Sequence, residues 1–344
     1  MEPDVALAAV SWLADNVAPG VDRPTVSFWG GEPLLNLGLI KHVTGSGPSL
    51  SPSRFFFSIV TNGTLLTDPV LDYFRSEDFH IVLSVDGPPA VQDRHRLLPD
   101  GSGSFAHIEP SIDRLTSEFP DTIALMTVTP ETVPSMARSC EYLVNRGFKR
   151  LSFSYAFTET WTAESEQEYL DQLERIVDLW ATRLAEDRRV AILPVELALR
   201  HLLTGQTVPC AAANRMVAVG IDGTLYPCHR FCGFYDLRSA YAMGDVRVGI
   251  QTPPPFLTQR RAEASRSQDR KTADNRLPTF SCPAGEAWEK RRPIHVSDGF
   301  SRRAAEVLSM ACRRAHHDLY GRKSLAYLEL YLALMRETGS AEPV

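Results

Sequence analysis

Thr25-Val26-Ser27-Phe28-Trp29 runs straight into Gly30-Gly31-Glu32-Pro33-Leu34-Leu35. The first five residues are β-branched or aromatic except for one serine, which is strand composition, and the glycine pair that follows ends the run. Pro33 biases Glu32 toward an extended backbone. Consecutive glycines let a ligand come close to the main chain, so carbonyls and the Glu32 carboxylate stand as acceptors at the carboxyl end of a strand. Acceptors suit an ammonium group. No GxGxxG loop is present, and a glutamate beside the glycines repels phosphate. A tight strand-to-helix turn asks for the same two glycines, so the tetrapeptide by itself leaves both readings open.

The pattern repeats outward from this stretch. Residues 3–17 place Val5, Ala8, Ala9, Leu13 and Val17 at helical spacing before the strand. Strand-like runs follow at 55–60, 80–85, 122–128 and 149–155, separated by helix-like intervals at 35–45, 67–75, 106–118 and 131–146. Five such strands, apolar enough to be buried on both faces, predict an α/β fold of parallel βα units with right-handed crossovers, either a barrel or an open doubly wound sheet. Each strand ends in a polar or glycine-containing signature: Thr61-Asn62-Gly63, Ser84-Val85-Asp86-Gly87 and Thr127-Val128-Thr129-Pro130. In such folds the ligand site lies at that edge, so one shared site is expected. Ser84 and Asp86, two apart on a strand, face one way and can reach ribose hydroxyls. Asp86 ahead of Gly87-Pro88 equally suits a turn cap, and Asn62-Gly63 is a turn former in its own right.

After residue 155 the texture changes. A charged helix over about 164–188 and a shorter apolar one over 194–204 lead to a cysteine-containing segment at 210–250, then a polar loop at 251–281. The last 50 residues read as helix, with Leu319, Leu325, Leu328, Leu332 and Met335 as the apolar stripe. A formal charge of −6 in 344 residues gives no broad case for nucleic-acid binding. With no apolar run of membrane-spanning length and no basic segment ahead of the first apolar residues, the reading is a cytoplasmic protein without a membrane partner. Six cysteines in a reducing compartment point to metal rather than disulfides. Asp222-Gly223 is a hairpin signal that brings Cys210 and Cys228 toward one centre. Thiolates at Cys210, Cys228, Cys232 and Cys282 fit an iron–sulfur cluster or zinc. Cys140 and Cys312, in helical runs, read as core.

Taken in order, Phe28 to Leu35, Thr61 to Leu66, and Ser84 to Pro88 with Asp93 and Arg96, the chain resembles radical S-adenosylmethionine (radical SAM) enzymes. The sulfatase-maturase-like and peptide-maturing group with a carboxy-terminal SPASM domain is the nearest. The resemblance covers about residues 4–250 and implies a (βα)6-type radical SAM barrel lacking its first strand. It divides the chain into a partial barrel (1–190), a SPASM-like auxiliary-cluster domain (191–284) and a helical tail (285–344). It assigns Gly30, Gly31, Glu32 and Pro33 to the amino group of S-adenosylmethionine, Ser84 to its ribose, and Asn62 and Asp86 to the same cofactor site.

Cys210, twelve residues, then Gly223-Thr224-Leu225-Tyr226-Pro227-Cys228 resembles the opening of a SPASM domain. It implies an auxiliary [4Fe–4S] cluster with Cys210 and Cys228 as the firm ligands and Cys232 and Cys282 as the others. Where sulfatase-maturing relatives carry an aspartate base after the cluster cysteine, this chain has His229, which is the candidate base. The defining C-x3-C-x2-C loop is absent from the given sequence, so the expectation is either a segment upstream of Met1 or loss of the cluster, with the chain inactive as given. The implied activity is a 5′-deoxyadenosyl radical abstracting hydrogen from a peptide or protein side chain, with ferredoxin or flavodoxin as reductant. The alternative is a non-catalytic peptide-binding or cluster-carrying protein of the same descent.

Overall fold

A computed structural model describes residues 1–45, 55–205, 211–213, 215–233, 235–254 and 300–337. Helix α1 (Pro3–Asp15) precedes strand β1 (Thr25–Phe28), and a 3-10 turn (Pro33–Asn36) leads into α2 (Leu37–Thr44). The chain then alternates through β2 (Phe56–Thr61), α3 (Asp68–Ser76), β3 (His80–Ser84), α4 (Pro89–His95), α5 (Phe105–Glu118), β4 (Ile123–Val128), α6 (Met136–Asn145) and β5 (Arg150–Tyr155). Helix α7 (Ala163–Ala185), the two-residue β6 (Ala191–Ile192) and α8 (Leu193–Thr204) complete this half. The strands lie in chain order β1-β2-β3-β4-β5-β6 in one sheet, with β1 and β6 at its ends. The α/β class with parallel strands is thus as expected, and the β1–β2, β4–β5 and β5–β6 pairs are all parallel.

The expectation of burial on both faces is corrected. Burial alternates residue by residue along β3, β4 and β5. Ile81, Leu83, Ala124, Met126, Leu151 and Phe153 are buried, whereas Ser84, Ser152 and Ser154 are half-buried and Thr127 is exposed. A hydroxyl adds only one polar atom to an otherwise apolar run, so composition over the whole strand hides a period-2 pattern that burial makes plain.

By contacts the chain forms two compact units. One holds Met1–Val82 with the described part of Cys210–Asp274. Its interior includes the rings of Phe28, Phe57 and Phe79, with centroids 5.7–6.4 Å apart. Its second sheet is small and antiparallel, built from β7 (Ala218–Val219), β8 (Thr224–Tyr226), β9 (Gly244–Asp245) and β10 (Gly249–Ile250). The hairpin expected at Asp222-Gly223 joins β7 to β8, and Gly223 takes φ +95°, where a side chain is strained. Short helices α9 (His229–Gly233) and α10 (Tyr235–Tyr241) lie between β8 and β9.

The other unit holds Leu83–Pro209 with the described part of Arg292–Val344. Here α11 (Phe300–Arg322) is fixed to α7: Arg303 donates to buried Glu166 at 2.5 Å, and Arg314 pairs with Glu174 at 3.4 Å. Phe300 is inserted among Tyr155, Trp161 and Tyr169, with ring centroids 5.3–5.9 Å away. Helix α12 (Leu325–Glu337) corrects the expected stripe, because Leu325 is 62% and Leu332 44% exposed while Tyr327, Leu330 and Tyr331 are buried. Lys323, at φ +55°, breaks the helix, and the Ser324 hydroxyl accepts from Tyr327 N. Extending the phase of α11 through that break misassigns the inward face. Among the described residues no helix is long and apolar enough to cross a membrane.

Candidate functional site

The carboxyl ends of β1 and β2 are tied together by one side chain. Glu32 has the extended backbone that Pro33 demands, φ −147° and ψ 110°, and its carboxylate caps the 3-10 turn that Pro33 begins. Glu32 Oε1 accepts from Leu34 N at 3.0 Å and from the Thr61 hydroxyl at 2.8 Å, and Oε2 accepts from Asn62 N at 2.8 Å. Thr61 is buried at the end of β2, and its hydroxyl also accepts from Gly63 N at 3.1 Å. Asn62 folds over its own turn: its Oδ1 accepts from Thr64 N at 2.9 Å and from the Thr64 hydroxyl at 2.7 Å. Both the turn and the acceptor character weighed from the sequence are therefore present at this loop.

Gly30 and Gly31 are exposed, and neither has positive φ. A Cβ built on either meets nothing within 4 Å. Neither backbone strain nor crowding by the protein explains glycine here, and what the pair provides is an uncovered stretch of main chain beside the Glu32 carboxylate.

In the other unit, the Ser84–Asp86 signature is organised differently. Ser84 ends β3 and is half-buried, whereas Asp86 lies beyond the strand and is 6% exposed. Arg96 grips the Asp86 carboxylate through two bonds, Nε to Oδ2 at 2.7 Å and a terminal nitrogen to Oδ1 at 2.9 Å. Thr127 N adds a third donor to Oδ1 at 2.8 Å. Buried Gln92 receives Asp86 N on its Oε1 at 2.8 Å. Asp86 thus accepts three hydrogen bonds from the protein, two of them from one guanidinium. Gly87 adopts φ +142°, and a Cβ there would lie 2.3 Å from Ser139 Oγ, so glycine is compulsory.

Cys228 lies between β8 and α9, and Cys232 stands one turn along α9. Both pack with Ala212, Tyr226 and Phe231. Burial, and next the neighbouring Cys228, push the Cys232 thiol up to about 12. A metal ion there must displace bound protons. Cys210 and Cys282, the other candidate ligands, lie outside the described residues. Among the described residues no group of three or more metal-ligating side chains is assembled.

His229 follows Cys228 and stacks on Trp29, ring centroids 3.7 Å apart with planes 22° from parallel. Trp29 donates its indole N–H to Ser27 Oγ at 2.8 Å. Burial, assisted by Arg230, pulls the His229 imidazole down to about 4, so at neutral pH it is uncharged and a weaker base than a solvated histidine. Sequence reading passed over Trp29 and Thr61 as site residues. The signal for Thr61 was a hydroxyl at the last, buried position of an apolar strand, where a donor needs a partner. Nothing local in sequence links residue 29 to residue 229.

No protein-family model matches the chain. Among curated proteins it is 24% identical over 215 residues to the cysteine-type anaerobic sulfatase-maturating enzyme of Clostridium perfringens, covering 59% of this chain and 58% of that one. It is 31% identical over 209 residues to the serine-type anaerobic sulfatase-maturating enzyme of Klebsiella aerogenes, covering 58% of this chain and 52% of the relative. The matches thus span little more than half the length of these relatives. Among solved structures, native anSMEcpe with bound AdoMet superposes with a TM-score of 0.62 at 22% identity, over 73% of this chain and 70% of that one.

Proposed function

We propose that the chain is a sulfatase-maturase-like radical SAM protein that binds S-adenosylmethionine at the Gly30–Pro33 turn and modifies a peptide or protein, a reading supported by its partial similarity to the anaerobic sulfatase-maturating enzymes. The observation that carries this reading is the Glu32 carboxylate, held in place by the protein's own donors beside main chain that nothing covers. An immobilised acceptor next to an open backbone suits the ammonium of the cofactor's amino acid end.

The residues present fit the amino acid end of the cofactor. For an auxiliary [4Fe–4S] cluster they supply Cys228 and Cys232, with Cys210 and Cys282 as the further ligands. The radical chemistry of the family would come from S-adenosylmethionine with a separate cluster held by a C-x3-C-x2-C loop, which the given sequence does not contain, so the cysteines here would hold the auxiliary cluster alone. The chain's own part is to hold the ammonium at Glu32, to fix the His229 ring against Trp29 and, through the cysteine segment, to present the substrate. A peptide substrate is supported by relatives solved as native anSMEcpe with bound AdoMet and a peptide. A ferredoxin- or flavodoxin-like reductant belongs to the same reading, as does a division of labour between residues 1–190, 191–284 and 285–344.

The test is calorimetric titration of the purified chain with S-adenosylmethionine. Glu32→Ala is expected to lose measurable affinity while far-ultraviolet circular dichroism stays native. Wild-type affinity in that variant overturns the assignment.

A further inference from the structure

Thr61 occupies a position whose chemistry goes beyond its place in a turn. It is 1% exposed, and both sides of its hydroxyl are in use: the proton goes to Glu32 Oε1 at 2.8 Å, and the oxygen receives Gly63 N at 3.1 Å. Only one rotation of the O–H satisfies both partners. A carboxylate has about four acceptor positions, and three of those on Glu32 are filled by Leu34 N, the Thr61 hydroxyl and Asn62 N. Oε1 carries two of these bonds and Oε2 carries one, so the remaining acceptor position belongs to Oε2.

We propose that Thr61 is a positioning residue for the ammonium group of an α-amino acid ligand: by occupying Oε1 it fixes the Glu32 carboxylate so that Oε2 is the oxygen offered to that group. This rests on the proposed binding of S-adenosylmethionine and adds to it a second residue and a division of labour between the two oxygens. Without the Thr61 hydroxyl, Oε1 keeps only the bond from Leu34 N, and Gly63 N loses its acceptor. The carboxylate is then held by two donors instead of three, and pre-organisation toward the ligand is weakened.

The experiment uses two ligands, S-adenosylmethionine and its analogue with the α-amino group replaced by hydrogen. Affinities are measured for the wild-type chain, Thr61→Val, which keeps the shape and removes the hydroxyl, and Thr61→Ser, which restores it. Thr61→Val is expected to weaken S-adenosylmethionine binding by about tenfold, the size of a bond to a charged acceptor, and to leave the analogue unchanged. Thr61→Ser is expected to stay close to wild type for both. If Thr61→Val proves unstable in a thermal melt, Thr61→Ala, which adds no atoms to the buried site, takes its place.

Wild-type affinity for S-adenosylmethionine in the hydroxyl-free variant overturns this inference and leaves the cofactor reading standing. Equal weakening toward both ligands also overturns it, since that marks a general structural role. A wild-type chain that does not distinguish the two ligands removes the ammonium reading and the inference with it.

Discussion

Glu32 and Asp86 are both carboxylates placed just beyond parallel strands, and both receive three hydrogen bonds from the protein. The donors differ. Those of Glu32 are two backbone N–H groups and a hydroxyl, all neutral. Asp86 has a guanidinium in bidentate contact and is 6% exposed, whereas Glu32 is half-buried beside an open main chain. A carboxylate neutralised by arginine in the interior has its charge answered and serves the fold. One held by neutral donors at the surface keeps a net negative charge and is ready for a cationic ligand. Signature residues that look equivalent in the sequence thus differ in the charge of their partners, and the proposed division between architecture and binding rests on that difference.

The largest expected effect tests the architectural half. Asp86→Ala leaves the Arg96 guanidinium, itself 25% exposed, without its counter-charge and deprives Thr127 N of an acceptor. A loss of about 3 kcal/mol is expected in urea-induced unfolding, at the lower end of the range for broken buried pairs because Arg96 reaches water. A loss under about 1 kcal/mol breaks the comparison, since Asp86 would then be as expendable as a surface carboxylate.

Glycines give the next contrast. Gly87→Ala puts a Cβ 2.3 Å from Ser139 Oγ at φ +142°, so about 2 kcal/mol of destabilisation is expected. Gly30→Ala meets no atom within 4 Å, and its melting temperature is expected to stay at the wild-type value while affinity for S-adenosylmethionine falls. If both glycines respond alike in a thermal melt, the separation of fold from site fails.

How much of this was legible beforehand follows from the range of the forces involved. The strands at 25–28, 56–61, 80–84, 123–128 and 150–155 stand close to where the apolar runs placed them, because strand composition and turn residues are local. β6 went unread because two residues, Ala191 and Ile192, carry no period. The inward face of α12 was misread because a single backbone reversal at Lys323 resets the phase. In the candidate site, Gly30, Gly31 and Glu32 were visible as a motif, yet the partner that holds Glu32 sits 29 residues away at Thr61. The stack of Trp29 on His229 joins residues 200 positions apart in number, and no sequence period encodes such a contact.

A third carboxylate sharpens the rule with the smallest expected effect. Glu196 on α8 has neither the neutral clamp of Glu32 nor the guanidinium of Asp86: its Oε1 is buried with no hydrogen-bond partner. Burial raises its carboxyl above the ordinary value, and Arg189 and Arg150 only partly oppose the shift. The folded chain thus holds a proton on Glu196 more tightly than the unfolded chain does. This group's contribution favours the fold below the unfolded pKa and is lost as pH rises through the folded one. Glu196→Gln keeps the shape and removes the charge, so its melting temperature at pH 7 is expected to exceed wild type, with the gap closing as pH falls below the ordinary glutamate range. The same gap at every pH would mean that packing, and not the unanswered charge, sets the effect at this position. Partner charge would then no longer suffice to sort the carboxylates of this fold.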